Sequence, residues 1–270
     1  MAINLLDSTR LTRDASNPHR VHAHIGEEWQ IMFTQGGVVM STLLRAATLV
    51  LDRPDLRLAT MSATFVAPVT AGPVVVDVDV LRSGKGGAQV HAELRTDPDG
   101  GPNSVVTAVY TNVDPQMPRH REVEIPEALT RVPTQDMIAR YPDTGVAFLR
   151  QTEWVPADTK PDEAGRSWTW FRFLDSPVDA DGTWDRAAIM VPGDQLGGAV
   201  DSAIGFGTAF CVSLQISAQF YNNARGEWIA LDSTVWEIAD GIATGFVNVW
   251  DAERTLVANV TQTAKLRTNW

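Results

Sequence analysis

The sequence predicts an α+β fold made of two like units, each a long helix wrapped by an antiparallel sheet, with the two sheets joined edge to edge. Three observations point there. The order strand, helix, antiparallel strands runs twice along the 270 residues. Each run places a Gly-Gly pair ahead of a helical stretch, Gly36-Gly37 and Gly197-Gly198. The later strands are separated by residues that tolerate positive φ, at hairpin spacing.

In the first unit, Val21 to Trp29 reads as the opening strand. The run VVMSTLLRAATLVL after Gly36-Gly37 has apolar residues at helical spacing, and Pro54 stops it. Leu58 to Phe65 follows as a strand, then Val74 to Leu81, with valines at alternate positions. Turns at Ser83–Gly87 and Asp97–Gly101 lead into strands over 88–95 and 104–113.

The second unit repeats the order. Val146 to Trp154 and Ser167 to Leu174 are early strands, and AVDSAIGFGTAF after Gly197-Gly198 is a helix weakened by its own glycines. Strands follow over 213–221, 228–238, 243–250 and 256–266. Ser62-Ala63-Thr64-Phe65 aligns with Ser217-Ala218-Gln219-Phe220, and the 97–101 turn with Asp251–Arg254. The expected division is residues 1–118, a Pro- and charge-rich linker over 119–144 with a short helix at Thr134–Arg140, and residues 145–270. One helix-plus-meander unit leaves a sheet edge open, and two in tandem close it against each other, the arrangement known as a double hotdog.

Composition excludes several functions. A net charge of −11 gives no positive field for nucleic acid. No apolar window is long enough for a membrane helix, and MAINLLDSTRLTRD lacks a leader's apolar core, so a cytoplasmic location is expected. The single cysteine, Cys211, sits in an apolar run and reads as a small buried hydrophobe. No metal is expected, because the five histidines lack further ligands at suitable spacing, and no cofactor is implied. There is no Gly-x-Ser-x-Gly elbow, and Gly84-Lys85-Gly86-Gly87 is a hairpin turn rather than a phosphate loop.

Gly36-Gly37, Leu43-Leu44-Arg45-Ala46-Ala47 and Phe65-Val66-Ala67-Pro68, together with Val257-Ala258 and Gln262 in the last strand, resemble the acyl-CoA thioesterase II family of double hotdogs. The resemblance spans roughly 20–118 and 145–268. It implies a thioester hydrolase acting on acyl-CoA and associating as a homo-oligomer. It implies a site in the second half: Asp201 on the helix, Ser213 in place of the more usual Thr, and Gln262 on the last strand. Those types suit the chemistry, since a carboxylate with two hydrogen-bonding partners can orient and deprotonate a water. Backbone N–H groups at Gly197 and Gly198 would hold the oxyanion.

Asp201 also reads as an ordinary first-turn carboxylate, and Ser213 and Gln262 as polar filling of a strand face. In the first half, Met40 stands opposite Asp201 and Thr111 opposite Gln262, so that half is expected to be structural or acyl-binding. Arg45, Arg57, Arg82 and Arg267 are candidates for coenzyme A phosphates. Two other readings remain open: a non-catalytic acyl-binding protein on the same scaffold, and a hydratase/dehydratase, whose Gly-Asp-x-Asn-Pro-x-His pattern Gly193-Asp194-Gln195-Leu196 leaves after two residues.

Overall fold

The structure is a computed structural model that describes residues 2–138 and 145–268. Its elements are α1 (Leu5–Ser8), β1 (Thr12–Arg13), β2 (Arg20–Ile25), α2 (Gly36–Leu51), β3 (Arg57–Phe65), β4 (Gly72–Gly84), β5 (Gly87–Arg95), β6 (Ser104–Thr111) and α3 (Gln135–Ile138). The second half adds β7 (Thr152–Pro156), β8 (Arg166–Phe173), α4 (Met190–Gly193), α5 (Gly197–Ile204), β9 (Phe210–Phe220), β10 (Ile229–Ala239), β11 (Ile242–Asp251) and β12 (Leu256–Arg267). All the strands lie in one antiparallel sheet, ordered β1-β2-β4-β5-β6-β3-β9-β12-β11-β10-β8-β7.

The expected tandem hotdog is the architecture, and its halves meet at β3 and β9. Ser62 pairs there with Ser217, its own counterpart in the sequence duplication. Both hydroxyls bond the Gln215 carboxamide and each other, at 2.6–3.1 Å. The joint therefore lies on a local twofold axis relating the halves, and it pairs two strands that would otherwise be open edges.

Helix α2 forms because its apolar residues recur at helical spacing with no internal Gly or Pro after the first turn. It is buried nearly all round, with Val39, Met40, Leu43 and Leu44 in a core that also takes in Ile216, Val247 and Val260 of the second half. Arg45 is accommodated because its guanidinium bonds the Leu6 carbonyl and Thr9. The helix ends at Asp52, in the left-handed region just before Pro54. Trp29 of the first half meets Phe148 and Phe173 of the second at centroid separations of 6.5 and 6.2 Å, so the halves share an aromatic seam.

The second helix departs from expectation. Its place against α2 is taken by a 3-10 turn over Arg186–Ile189 and the short α4, not by the stretch after Gly197-Gly198. Pro192 lacks an N–H and Gly193 has no side chain to hold a helical turn, so the chain leaves the helix at Asp194 and re-enters it as α5. Gly205, at φ +97°, then ends α5. The stretch expected to be helical after Gly197-Gly198 is so only over α5, and Asp194 lies in the gap between α4 and α5.

The opening strand of each half is shorter than expected. β2 gives way to a 3-10 turn at Glu27–Trp29, and a 3-10 turn at Phe148–Arg150 precedes β7. In the 119–144 segment, Leu129 and Met137 pack with Trp170, Trp228 and Trp250 on the outer face of the second half's sheet. The expected short helix is present as α3, while residues 139–144, including Arg140, lie outside the described residues. No helix among the described residues is long and apolar enough to cross a membrane.

Candidate active site

Strand β9 would place Ser213 on the same face as Gln215 and Ser217 if it alternated without interruption. It does not. Gln215 pairs with Thr263 and Ser213 with Ala264, so Leu214 is an extra residue, a β-bulge. Ala264 shares the core-facing side of β12 with Gln262, and the bulge brings Ser213 to that side. The hydroxyl then accepts from Gln262 Nε2 at 2.8 Å and donates to Asp194 Oδ1 at 2.9 Å.

Gln262 closes the triangle, donating from Nε2 to Asp194 Oδ1 at 2.9 Å. Its Oε1 accepts the Leu196 backbone N–H at 3.2 Å. Because that N–H can only donate, it fixes which end of the carboxamide faces Asp194. The side chain is buried, and each of its polar atoms is engaged.

Groups from the first half face the Asp194 carboxylate as well. The backbone N–H groups of Gly36 and Gly37, at the start of α2, favour its ionised form, and Gln35 Nε2 lies 3.3 Å from Oδ2. The glycines allow this close approach. A Cβ on Gly36 would fall 2.5 Å from Asp194 Oδ2, and one on Gly37 would fall 2.3 Å from the Met190 carbonyl oxygen. Burial pushes the Asp194 pKa up to about 7, against the opposing pull of the hydrogen bonds from Ser213, Gln262, Gly37 and Gly36.

The triangle lies in the wall of a cavity of about 630 Å³ bordered by Phe33, Phe65, Phe148, Trp154 and Phe210. An apolar chamber with a few convergent polar groups is the usual form of a site for a largely apolar ligand.

Of the residues expected from sequence, Ser213 and Gln262 come together and Asp201 does not join them. Asp201 borders the same cavity, but no hydrogen bond links it to Ser213 or Gln262 among the described residues; burial raises its pKa, with the Gly207 backbone N–H opposing. The carboxylate at that position is Asp194, seven residues earlier. Gly197 borders the cavity, whereas Gly198 packs against the Ser167 side chain.

Cys211 is half-buried rather than a core residue and borders the cavity. Burial, followed by the charges of Asp201 and Asp194, raises its pKa to about 12, so the thiol stays protonated. Of the four arginine candidates only Arg267 borders the cavity. Among the described residues no cluster of His, Cys, Asp and Glu could hold a metal ion.

The duplicated site in the first half is occupied differently. The bulge recurs in β3, where Leu58 pairs with Tyr110 and Thr60 with Val109. With Ser62 matched to Ser217, this register sets Leu58 at the place of Ser213 and Ala108, not Thr111, at that of Gln262. The first-half counterparts of Ser213 and Gln262 are thus both apolar.

A family model of acyl-CoA thioesterase N-terminal domains matches residues 25–113, and one of acyl-CoA thioesterase C-terminal domains matches residues 126–266. No curated protein sequence matches. Among solved structures, the acyl-CoA thioesterase II TesB2 of Mycobacterium marinum is similar at 17% identity, with a TM-score of 0.76 over 98% of this chain and 97% of that one. A protein with a hotdog fold from Alicyclobacillus acidocaldarius is similar at 16% identity, with a TM-score of 0.78 over 98% of each. One from Novosphingobium aromaticivorans, described as a candidate thioesterase, shares 23% identity, with a TM-score of 0.77 over 95% of this chain and 98% of that one. At these identities the likeness establishes the fold.

Proposed function

The chain belongs to the acyl-CoA thioesterase family, and we propose that it hydrolyses acyl-CoA with Asp194 as general base and Ser213 and Gln262 as the groups that orient the attacking water. The observation behind this reading is the closed triangle of the three side chains in the wall of an apolar cavity. A water entering between them would exchange their mutual hydrogen bonds for its own. Asp194 would accept its proton as the oxygen adds to the thioester carbonyl. A base with a pKa near 7 suits that task at neutral pH, because it is substantially ionised and still basic enough to take a proton.

Gly197, the first residue of α5, borders the cavity, and a first-turn N–H without a partner in its own helix would suit the developing oxyanion. The Gly36 and Gly37 N–H groups face Asp194 and favour its ionised form. Collapse of the tetrahedral adduct would expel the coenzyme A sulfur, which takes back the proton held by Asp194. The acyl chain would lie among Phe33, Phe65, Phe148 and Trp154.

Release of free thiol from a panel of acyl-CoAs, from acetyl to palmitoyl and aromatic, tests the proposal. It predicts turnover of at least one member. Saturable binding without turnover of any of them would instead identify an acyl-binding protein.

A further inference from the structure

Gln35 is an uncommon choice for a helix N-cap, where Ser, Thr, Asp and Asn are preferred. Its Oε1 nevertheless performs the capping role, accepting the Val38 N–H at 3.0 Å. The longer side chain leaves its other end free to reach across to the second half. Nε2 donates to the Val191 carbonyl at 3.2 Å and lies 3.3 Å from Asp194 Oδ2. Since the Val38 N–H can only donate, the carboxamide has one acceptable orientation, and its two hydrogens face two acceptors. The residue is 6% exposed, so water does not compete strongly for those contacts.

Asp194 Oδ1 is engaged by Ser213 and Gln262 from the second half, while Oδ2 faces Gln35 from the first. We propose that Gln35 is a positioning residue that fixes the rotation of the Asp194 carboxylate and favours its ionised form, so that the first half sets the basicity of the group working in the second. This rests on Asp194 being the base. A shorter capping side chain would satisfy Val38 and leave Oδ2 without its side-chain donor. The other ionisable groups at the cavity are Asp201 on α5, Cys211 on β9 and Arg267 on β12. The thiol is protonated, and Asp201 makes no hydrogen bond to Asp194 among the described residues. The Gln35 contact is thus the one that a single substitution in the first half removes cleanly.

The test is Gln35→Asn, which retains a favoured capping residue and cannot span to Asp194. The Asp194 carboxyl would be titrated by carbon NMR in the full-length wild type and variant, its signal assigned by its loss in Asp194→Asn. Thiol release would be measured across pH in parallel. Losing one hydrogen bond to the ionised form should move the titration midpoint up by about one pH unit. The acidic limb of kcat should move with it, with KM nearly constant and the thermal midpoint close to wild type. An unchanged titration in a folded variant would overturn the proposal. If Gln35→Asn does not fold, Gln35→Glu keeps the capping oxygen and should move the midpoint further up, and an unchanged midpoint there would equally overturn it. A shifted titration in a protein without thioesterase turnover would sustain the role of Gln35 while removing the proposed activity.

Discussion

The Ser213 hydroxyl and the Gln262 carboxamide nitrogen are 2.8 Å apart because Leu214 is extruded from strand β9. One extra residue reverses the alternation of side chains and turns Ser213 towards the cavity. The same bulge stands at Ala59 in the first half, where it points Leu58 inwards. The backbone device is therefore duplicated, and the chemistry it presents occurs in one half only.

Ser213→Ala should leave Asp194 Oδ1 and Gln262 Nε2 short of a partner. Loss of a hydrogen bond to a charged group is worth about 1.5–3 kcal/mol, so kcat/KM should fall by roughly tenfold to a hundredfold. Ser213→Thr keeps the hydroxyl and should retain most activity. Steady-state kinetics on the best acyl-CoA substrate compares them.

The pH dependence follows from burial of Asp194. Its raised pKa, about 7, means that the basic form is lost as pH falls through that value. The rate should decline below pH 7 with the slope of a single protonation. A profile flat from pH 5 to 8 would contradict a general base with this titration.

Stability should carry the opposite sign. The folded pKa lies above the unfolded value of about 3.9, so the native state binds the proton more tightly. The associated stabilisation is complete below the unfolded pKa and is lost as pH rises through about 7. Asp194→Asn removes the ionisation, and its stability relative to wild type should grow between pH 4 and pH 8. The full three-unit shift corresponds to as much as about 4 kcal/mol. Urea denaturation at several pH values measures the difference.

Gly37→Ala places a Cβ 2.3 Å from a backbone carbonyl and 2.4 Å from the Val191 Cα, atoms that cannot turn aside as a flexible side chain would. Overpacking of this kind costs about 1–3 kcal/mol. Denaturation midpoints should fall accordingly. Activity should fall too, because α2 and α4 are the two walls that hold Asp194.

The architecture was legible in the sequence because duplicated element order and hairpin turns are local signals. Gln262 was legible through the last strand, and Ser213 through the family resemblance, although alternation alone puts Ser213 on the outer face. The carboxylate that joins Ser213 and Gln262 was not legible. Asp201 sits four residues after Gly197, as expected of a helix opening there, but the chain leaves the helix at Pro192-Gly193 and presents Asp194 at that break. Residues two positions past a proline carry no periodic signal. Gln35 was missed because its partner is 159 residues away. Thr111 was placed three residues from Ala108, the residue that the register sets at the place of Gln262, because strand register is fixed by pairing that no propensity reports.

The central claim is that the second half's base is Asp194 and not Asp201, and one comparison tests it directly: acyl-CoA hydrolysis by Asp194→Asn and Asp201→Asn, with both folds checked by circular dichroism. General-base catalysis typically contributes about 10²- to 10⁴-fold. The account predicts a loss of that order in Asp194→Asn and activity within a few-fold of wild type in Asp201→Asn. Collapse of Asp201→Asn with Asp194→Asn still active would contradict it.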